Sequence, residues 1–183
     1  LLVISCVGAP RAICTCDMIL AALGEHGCTR NDFRMTYELS ASPLGTGGAA
    51  EVFLARSFRG GVADEVVVKL PHAHAQENGA SDGIEVEVAA LVRAQGHPNI
   101  LRFHGAFRLG EEPEWCIATE YCPGGDLYSK VQGRAYTETR ARPVFDGVLQ
   151  ALAHIHQRGI LHRDVKAANV LLRTDTQAVL ADF

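Results

Sequence analysis

A lysine closes a run of valines at residues 66–69, and that placement limits what the chain can become. Val66-Val67-Val68-Lys69-Leu70 is rich in β-branched side chains and reads as a buried strand. A charge inside such a strand is costly unless another element supplies the opposite charge. A lone lysine in a strand more often marks an edge or a surface, but the three valines before Lys69 argue against that here. The next periodic segment is amphipathic. Apolar residues at 84, 88, 91 and 92 line one face of a helix over Ile84 to Gln95, and Gly96 stops it. Glu87 on this helix is the candidate partner of Lys69, with Glu85 as runner-up.

Further strands surround this pair. Tyr37 to Leu44, the turn Gly45-Thr46-Gly47-Gly48, and Val52, Leu54 and Ala55 read as strand, glycine turn, strand. Pro71 to Gly83 is loop-like. Ile100 to Arg108 and Trp115 to Tyr121 predict a hairpin turning over Gly110 to Glu114. Pro123-Gly124-Gly125 breaks the chain, and Asp126 can cap a short helix. A longer helix is predicted from Pro143 to about Arg158, with Pro143 in its first turn and Gly159 at its end. Val144, Val148, Leu149, Leu152 and Ile155 form its expected buried face. Ile160-Leu161, a polar loop, and two strands over Val170–Arg173 and Ala178–Leu180 complete the order. The expected class is α+β. A strand-rich part with one main helix, residues 36–122, precedes a helix-led part, residues 123–183. Residues 1–35 show no clean period beyond a short helix start at Met18 to Leu23 and are left unassigned.

Composition narrows the function classes. Of 183 residues, 48% are hydrophobic, 21% charged and 7% aromatic, which excludes wholesale disorder, collagen and coiled coil. The net charge of −4 gives no basic excess for nucleic acid and no polybasic run for a membrane surface. No segment approaches the roughly 18 continuous apolar residues of a spanning helix. Leu1 to Pro10 is apolar but short and lacks a leading basic stretch, so it is expected to be a remnant and not a targeting address. The six cysteines, at 6, 14, 16, 28, 116 and 122, are too few and uneven for a disulfide framework, so reduced thiols in an intracellular, cytoplasmic protein are expected. Cys14-x-Cys16 lacks the gap of a zinc knuckle. A small metal-binding module at residues 1–35 is a weaker reading. His72-x-His74 and His154-x-His156 have no placed companion ligand and read as surface or core histidines. Trp115 reads as core, and Arg30 to Arg34 as a solvated linker.

Two stretches carry chemistry. Gly45-Thr46-Gly47-Gly48-Ala49-Ala50-Glu51-Val52 is a glycine loop between strands. Glycines also make plain hairpin turns, but such a loop lets backbone N–H groups approach phosphates. It lacks the Walker lysine-serine ending and leads into a strand, which disfavours a dinucleotide fold. His162-Arg163-Asp164-Val165-Lys166-Ala167-Ala168-Asn169 sets an acid, a cation and an amide within one loop, and Asp182-Phe183 follows at a strand end. Asn169 and Asp182 supply oxygen ligands suited to Mg²⁺. Asp164 is then free to take a proton from a hydroxyl.

In this order the motifs resemble the signature set of the eukaryotic protein kinase domain. The resemblance covers about residues 36–183: the glycine loop, Val66-Val67-Val68-Lys69, Glu87 ten residues before His97-Pro98-Asn99-Ile100, Ile117-Ala118-Thr119-Glu120-Tyr121-Cys122 as last small-lobe strand and hinge, His162-Arg163-Asp164, Asn169, and Asp182-Phe183. It implies an antiparallel small lobe and the beginning of a helical large lobe. It also implies ATP under the hairpin of Leu44, Gly45, Thr46, Gly47, Gly48 and Val52, with adenine between Val52 and Val67 above and Leu171 below. Backbone groups of Glu120 and Cys122 would bond the ring, and Thr119 would gate the pocket behind it. Lys69, steered by Glu87, would hold the α- and β-phosphates, and Asn169 and Asp182 would hold Mg²⁺. Asp164 would deprotonate the attacking hydroxyl while Lys166 steadies the γ-phosphate. His162, Phe183, Leu91 and Phe103 would stack as an internal spine.

Lys166 resembles the serine/threonine branch, which implies a protein substrate bearing serine or threonine. Two departures stand out. The third loop glycine is Ala50, with Ala49 where an aromatic is usual, so Ala50 fits only with a negative φ. The chain also stops at Phe183, which is expected to make it a fragment inactive by itself. The alternative is a nucleotide-binding pseudokinase or scaffold, although a scaffold has no need of Lys69, Asp164, Asn169 and Asp182 together.

Overall fold

Val66 and Val68 are fully buried while Val67 is half-exposed, the alternation of a strand inside a sheet. The computed structural model describes residues 36–46, 50–57, 64–71, 81–108, 115–133 and 136–183. The expected metal module at 1–35, the Met18 helix start, the 30–34 linker and the His72-x-His74 pair lie outside them. So does the side chain of Trp115.

Strands β1 (Tyr37–Leu39), β2 (Gly45–Thr46), β3 (Ala50–Ser57), β4 (Asp64–Pro71), β5 (Phe103–Arg108) and β6 (Trp115–Glu120) form one sheet. Its order is β1-β3-β4-β6-β5, with β2 also on β3, and the pairings are antiparallel. Register sets up two rows on one face. Val52, Lys69 and Ile117 stand opposite one another, as do Leu54, Val67 and Thr119. Helix α1 (Ser81–Ala94) covers part of that face, with Val88 buried on Ile117 and Ala106. The other face buries Val66, Val68, Ala55, Phe107, Cys116 and Ala118. Gly96, at φ 93, turns the chain after α1. Gln95 then ties the helix end to β5, donating to the Leu101 carbonyl at 2.9 Å and accepting from the Phe103 N–H at 3.1 Å.

After the break come α2 (Leu127–Gly133), α3 (Glu138–Gln157) and the hairpin of β7 (Val170–Thr174) and β8 (Gln177–Leu180). Asp126 caps α2 by accepting from the Ser129 N–H at 2.8 Å. One core joins the two parts, with Leu91 and Ala94 of α1 packed among Val144, Ala151 and Ile155 of α3 and Leu172 and Leu180 of the hairpin.

Helix α3 starts five residues before the proline expected to open it, at Glu138, and Pro143 lies inside. The ring forfeits one bond, to the Thr139 carbonyl, while Glu138 in the first turn suits the positive helix end. The expected face also needs one correction, because Leu149 is 61% exposed and Gly147 and Ala151 are buried instead. At 100° per residue Leu149 lies well off the line through Val144, Ala151 and Ile155. At the far end Gly159, at φ 67, closes the helix, and the Ile160 N–H donates to the Ile155 carbonyl at 3.0 Å.

Two glycines permit close approach. A Cβ on Gly147 would lie 2.6 Å from Asn99 Nδ2, which bonds the Ala178 carbonyl at 2.7 Å. A Cβ on Gly124 would lie 2.5 Å from the Leu172 carbonyl oxygen, which accepts the Gly124 N–H at 2.9 Å. Gly124→Ala is therefore expected to destabilise by about 1–3 kcal/mol through a forced backbone shift. Gly45→Ala, with nothing within 4 Å of its Cβ, should stay within about 0.5 kcal/mol of the parent. Urea unfolding of both checks this, and equal stabilities would refute the close-approach account.

Candidate active site

The β4 alternation that buries Val66 and Val68 turns Lys69 toward α1, and the helical turn presents Glu87 to it. Lys69 Nζ donates to Glu87 Oε1 and Oε2 at 2.9 Å each. It also donates to Asp182 Oδ1 at 3.1 Å. Burial pulls the Lys69 ammonium down, but the two carboxylates outweigh it and the net displacement is upward. Glu87 is placed differently. Burial pushes its carboxyl up, Lys69 opposes this, and the Asp182 charge adds to the rise. Burial therefore decides the direction at Glu87, whereas at Lys69 the two anions prevail over it.

Asp182 reaches Lys69 from the end of β8. It has φ 64, a left-handed conformation that is uncommon outside glycine. The residues on either side of it are fixed. The Ala181 N–H donates to the Asn169 carbonyl at 2.9 Å, and the Ala181 carbonyl accepts from His162 Nε2 at 2.8 Å. His162 is buried and its Nδ1 has no hydrogen-bond partner among the described residues. Its ring lies 5.0 Å from that of Phe183, which packs with Phe103 against the core holding Leu91.

The loop before β7 gathers a second cluster. Lys166 Nζ donates to Asp164 Oδ2 at 2.6 Å, and buried Asn169 Nδ2 donates to the Asp164 carbonyl at 3.0 Å and to Oδ2 at 3.1 Å. Both side-chain donors converge on one oxygen, so Asp164 Oδ1 accepts nothing among the described residues. The Lys166 hydrogen bond holds the exposed Asp164 carboxyl below the usual carboxylate range. With its amide hydrogens used, Asn169 has Oδ1 left to give, and Asp182 offers a half-exposed carboxylate. Such hard oxygens can hold a divalent cation.

The residues expected around the adenine fall on one face and its border. Val52, Val67 and Thr119 share the sheet face of Lys69. Leu44, 54% exposed, and Gly45 and Thr46 of β2 border it, while Gly47 and Gly48 lie outside the described residues. Leu171 is half-buried on β7. Cys122 is buried, and burial pushes its thiol up to about 12, so it is protonated at neutral pH. His154 holds the lobes together, with Nε2 on the Ala94 carbonyl at 2.9 Å and its ring 4.8 Å from that of His97.

Sequence reasoning missed two contacts. Asp182 was expected as a metal ligand, yet it also contacts Lys69 across 113 residues. Arg173 pairs with the Glu120 side chain, Nη2 to Oε1 at 2.7 Å and Nε to Oε2 at 2.8 Å. A charge at the end of an apolar strand, as at Lys69, was the available signal.

A model of the protein kinase domain matches residues 39–183. CBL-interacting protein kinase 4 of Oryza sativa subsp. japonica is 38% identical over 150 residues, 80% of this chain and 32% of the relative. CBL-interacting serine/threonine-protein kinase 7 of Arabidopsis thaliana is 37% identical over 150 residues, 80% and 34% of the two chains. Serine/threonine-protein kinase Nek11 of Mus musculus is 32% identical over 138 residues, 72% and 22%. The chain thus spans between 22% and 34% of the length of these curated relatives.

Independently of these likenesses, Lys69→Met leaves the Glu87 carboxylate buried beside Asp182 with no cation. A charged hydrogen bond of this kind contributes about 1.5–3 kcal/mol, and the loss should fall at the low end because the pair is partly exposed. The variant's Glu87 rises further above its unfolded value than the parent's. A raised carboxyl loses stability as pH climbs from the unfolded to the folded pKa. The deficit of Lys69→Met should therefore be larger at pH 7 than at pH 4, and a deficit independent of pH in urea titrations would contradict the pairing.

Proposed function

The chain belongs to the protein kinase family, and on that premise we propose that it serves to transfer the γ-phosphoryl group of ATP to serine and threonine hydroxyls of a protein substrate. The observation that carries this reading is the Lys69 ammonium held between Glu87 and Asp182, together with a second cluster in which the Asp164 carboxylate keeps one oxygen uncommitted among the described residues. Protein kinases in general use ATP and Mg²⁺. Residues 36–122 act as the small lobe with the hinge, and residues 123–183 as part of the large lobe.

Phosphoryl transfer has a loose transition state, so the protein's work is positioning and charge stabilisation. Lys69 binds the α- and β-phosphate oxygens, and Glu87 keeps it extended along the sheet face. Val52, Val67 and Leu171 sandwich the adenine. Backbone groups of Glu120 and Cys122 orient it, and Thr119 limits the space behind. Asp164 Oδ1 accepts the proton of the attacking hydroxyl while Lys166 draws the γ-phosphate toward it. Asn169 and Asp182 would hold Mg²⁺ through their oxygens, and the ion would neutralise phosphate charge. Since Lys69 is displaced upward and Asp164 downward, both stay charged around neutral pH.

The pseudokinase alternative rested partly on Ala50. That residue lies in β3 opposite Pro71, and among the described non-glycine residues positive φ occurs only at Arg163 and Asp182. Alanine is thus unstrained there, which weakens the alternative. No helix among the described residues is long and apolar enough to cross a membrane. The reading places the protein inside the cell, where ATP is and thiols stay reduced.

Asp164→Asn in the intact protein keeps the side chain's shape and removes the proton acceptor. It should lower kcat by about 10²–10⁴-fold while ATP still binds. Loss of ATP binding together with unfolding would make Asp164 a structural residue. On a peptide array the intact protein should label serine and threonine, and predominant tyrosine labelling would reverse the residue choice.

A further inference from the structure

The Arg173–Glu120 pair stands outside the phosphate clamp and the Asp164 loop. Its arginine is on β7 in the large-lobe part, and its glutamate is the last residue of β6, at the hinge. All three guanidinium nitrogens are engaged. Nη2 and Nε take the two Glu120 oxygens at 2.7 and 2.8 Å, and Nη1 donates to the Pro98 carbonyl. The planar fork matches a carboxylate in a way a lysine cannot. The pair is well shielded, with side-chain exposures of 28% for Arg173 and 14% for Glu120.

Glu120 is fixed at its backbone as well. Its N–H donates to the Arg102 carbonyl at 2.9 Å, and its Oε1 accepts the Arg102 N–H at 2.7 Å. On the other side of the hinge, the Gly124 N–H donates to the Leu172 carbonyl at 2.9 Å, and the Leu172 N–H to the Gly125 carbonyl at 2.9 Å. The hinge from 120 to 125 is thus clamped to β7 at both ends, by a side-chain fork at one and a backbone pair at the other. Between them lie the main-chain groups of Glu120 and Cys122. On the same strand, Leu171 sits two residues before Arg173.

We propose that Arg173 is a positioning residue for nucleotide: through the Glu120 carboxylate it fixes the hinge main chain against β7, and so sets the spacing between the groups that bond the adenine edge and the Leu171 floor beneath it. This rests on the nucleotide reading given above. Without the fork the hinge's link to β7 is left to the Gly124–Gly125 backbone pair and the Asp126–Leu171 bridge, while Glu120 stays on the sheet through Arg102, and the adenine slot becomes free to widen. The loss falls on adenine recognition, because Lys69, Glu87 and Asp182 do not touch Arg173.

Binding of adenosine and of ADP to the intact protein, with ATP kinetics, tests this. Adenosine carries no phosphate and so reads the adenine slot without the phosphate clamp. Arg173→Met should weaken adenosine and ADP by the same factor, about tenfold, the scale of one lost charged hydrogen bond. KM for ATP should rise with it and kcat stay within about twofold. Lys69→Met should weaken ADP and leave adenosine unchanged. Arg173→Lys should fall between Arg173→Met and the parent, and the reversed pair Glu120→Arg with Arg173→Glu should recover most of the adenosine affinity. A lower melting temperature for Arg173→Met and Arg173→Lys with unchanged adenosine affinity in the folded protein would make the pair a structural strut and overturn the proposal. So would a loss confined to ADP. Should Arg173→Met not fold, Arg173→Lys alone decides between these outcomes. A parent that binds neither ligand would overturn the nucleotide reading itself, and this proposal with it.

Discussion

The Lys69 ammonium is the point on which the rest of the site depends. It follows the buried valines within β4, and its charge is tolerable there only because two carboxylates face it. Those carboxylates come from different parts of the chain, Glu87 from α1 and Asp182 from the end of β8. One cation therefore sets the position of a helix and of a strand end relative to the sheet. Three charges within hydrogen-bond reach leave one negative charge in excess, which suits a site that receives a further cation. Asp182 has a left-handed conformation that its own backbone disfavours, with Lys69 bonded to its carboxylate and Ala181 before it fixed by His162 and the Asn169 carbonyl.

Packing and polar contacts hold the two parts at the spacing this cluster needs. Leu91 and Ala94 of α1 share a core with α3 and the β7–β8 hairpin. Asn99 crosses to the Ala178 carbonyl only because residue 147 has no Cβ, and His154 fastens to the end of α1 at the Ala94 carbonyl. Arg173 makes the matching connection at the hinge. A shift of α1 would carry Glu87 away from Lys69 and would also disturb this joint, so the ion pair and the interlobe packing support each other.

Much of this was legible in the residues. The valine run, the α1 stripe, the Asp126 cap and the glycine that ends α3 are local signals, and local signals survive without the rest of the fold. The Lys69–Glu87 pairing was also readable, since a buried charge demands a partner and the next helix offered one. Other features were not. Pro143 marks a helix start in isolation, yet the turn before it is helical because tertiary packing of the later turns outweighs one missing hydrogen bond. Leu149 looked like core because it is leucine, but helical geometry puts it on the exposed side.

The sequence by itself determined the order of elements, the family and the chemical types available: a lysine on a strand, a carboxylate on a helix, and two more carboxylates, an amide and a second lysine near the β7–β8 hairpin. Tertiary structure alone decided which of them meet. Asp182 lies 113 residues from Lys69, and Arg173 lies 53 from Glu120. No period or spacing encodes such distances. They are set when the β7–β8 hairpin packs into the core that α1 shares with α3, where burial makes each unpaired charge expensive and so selects the partner that each one finds.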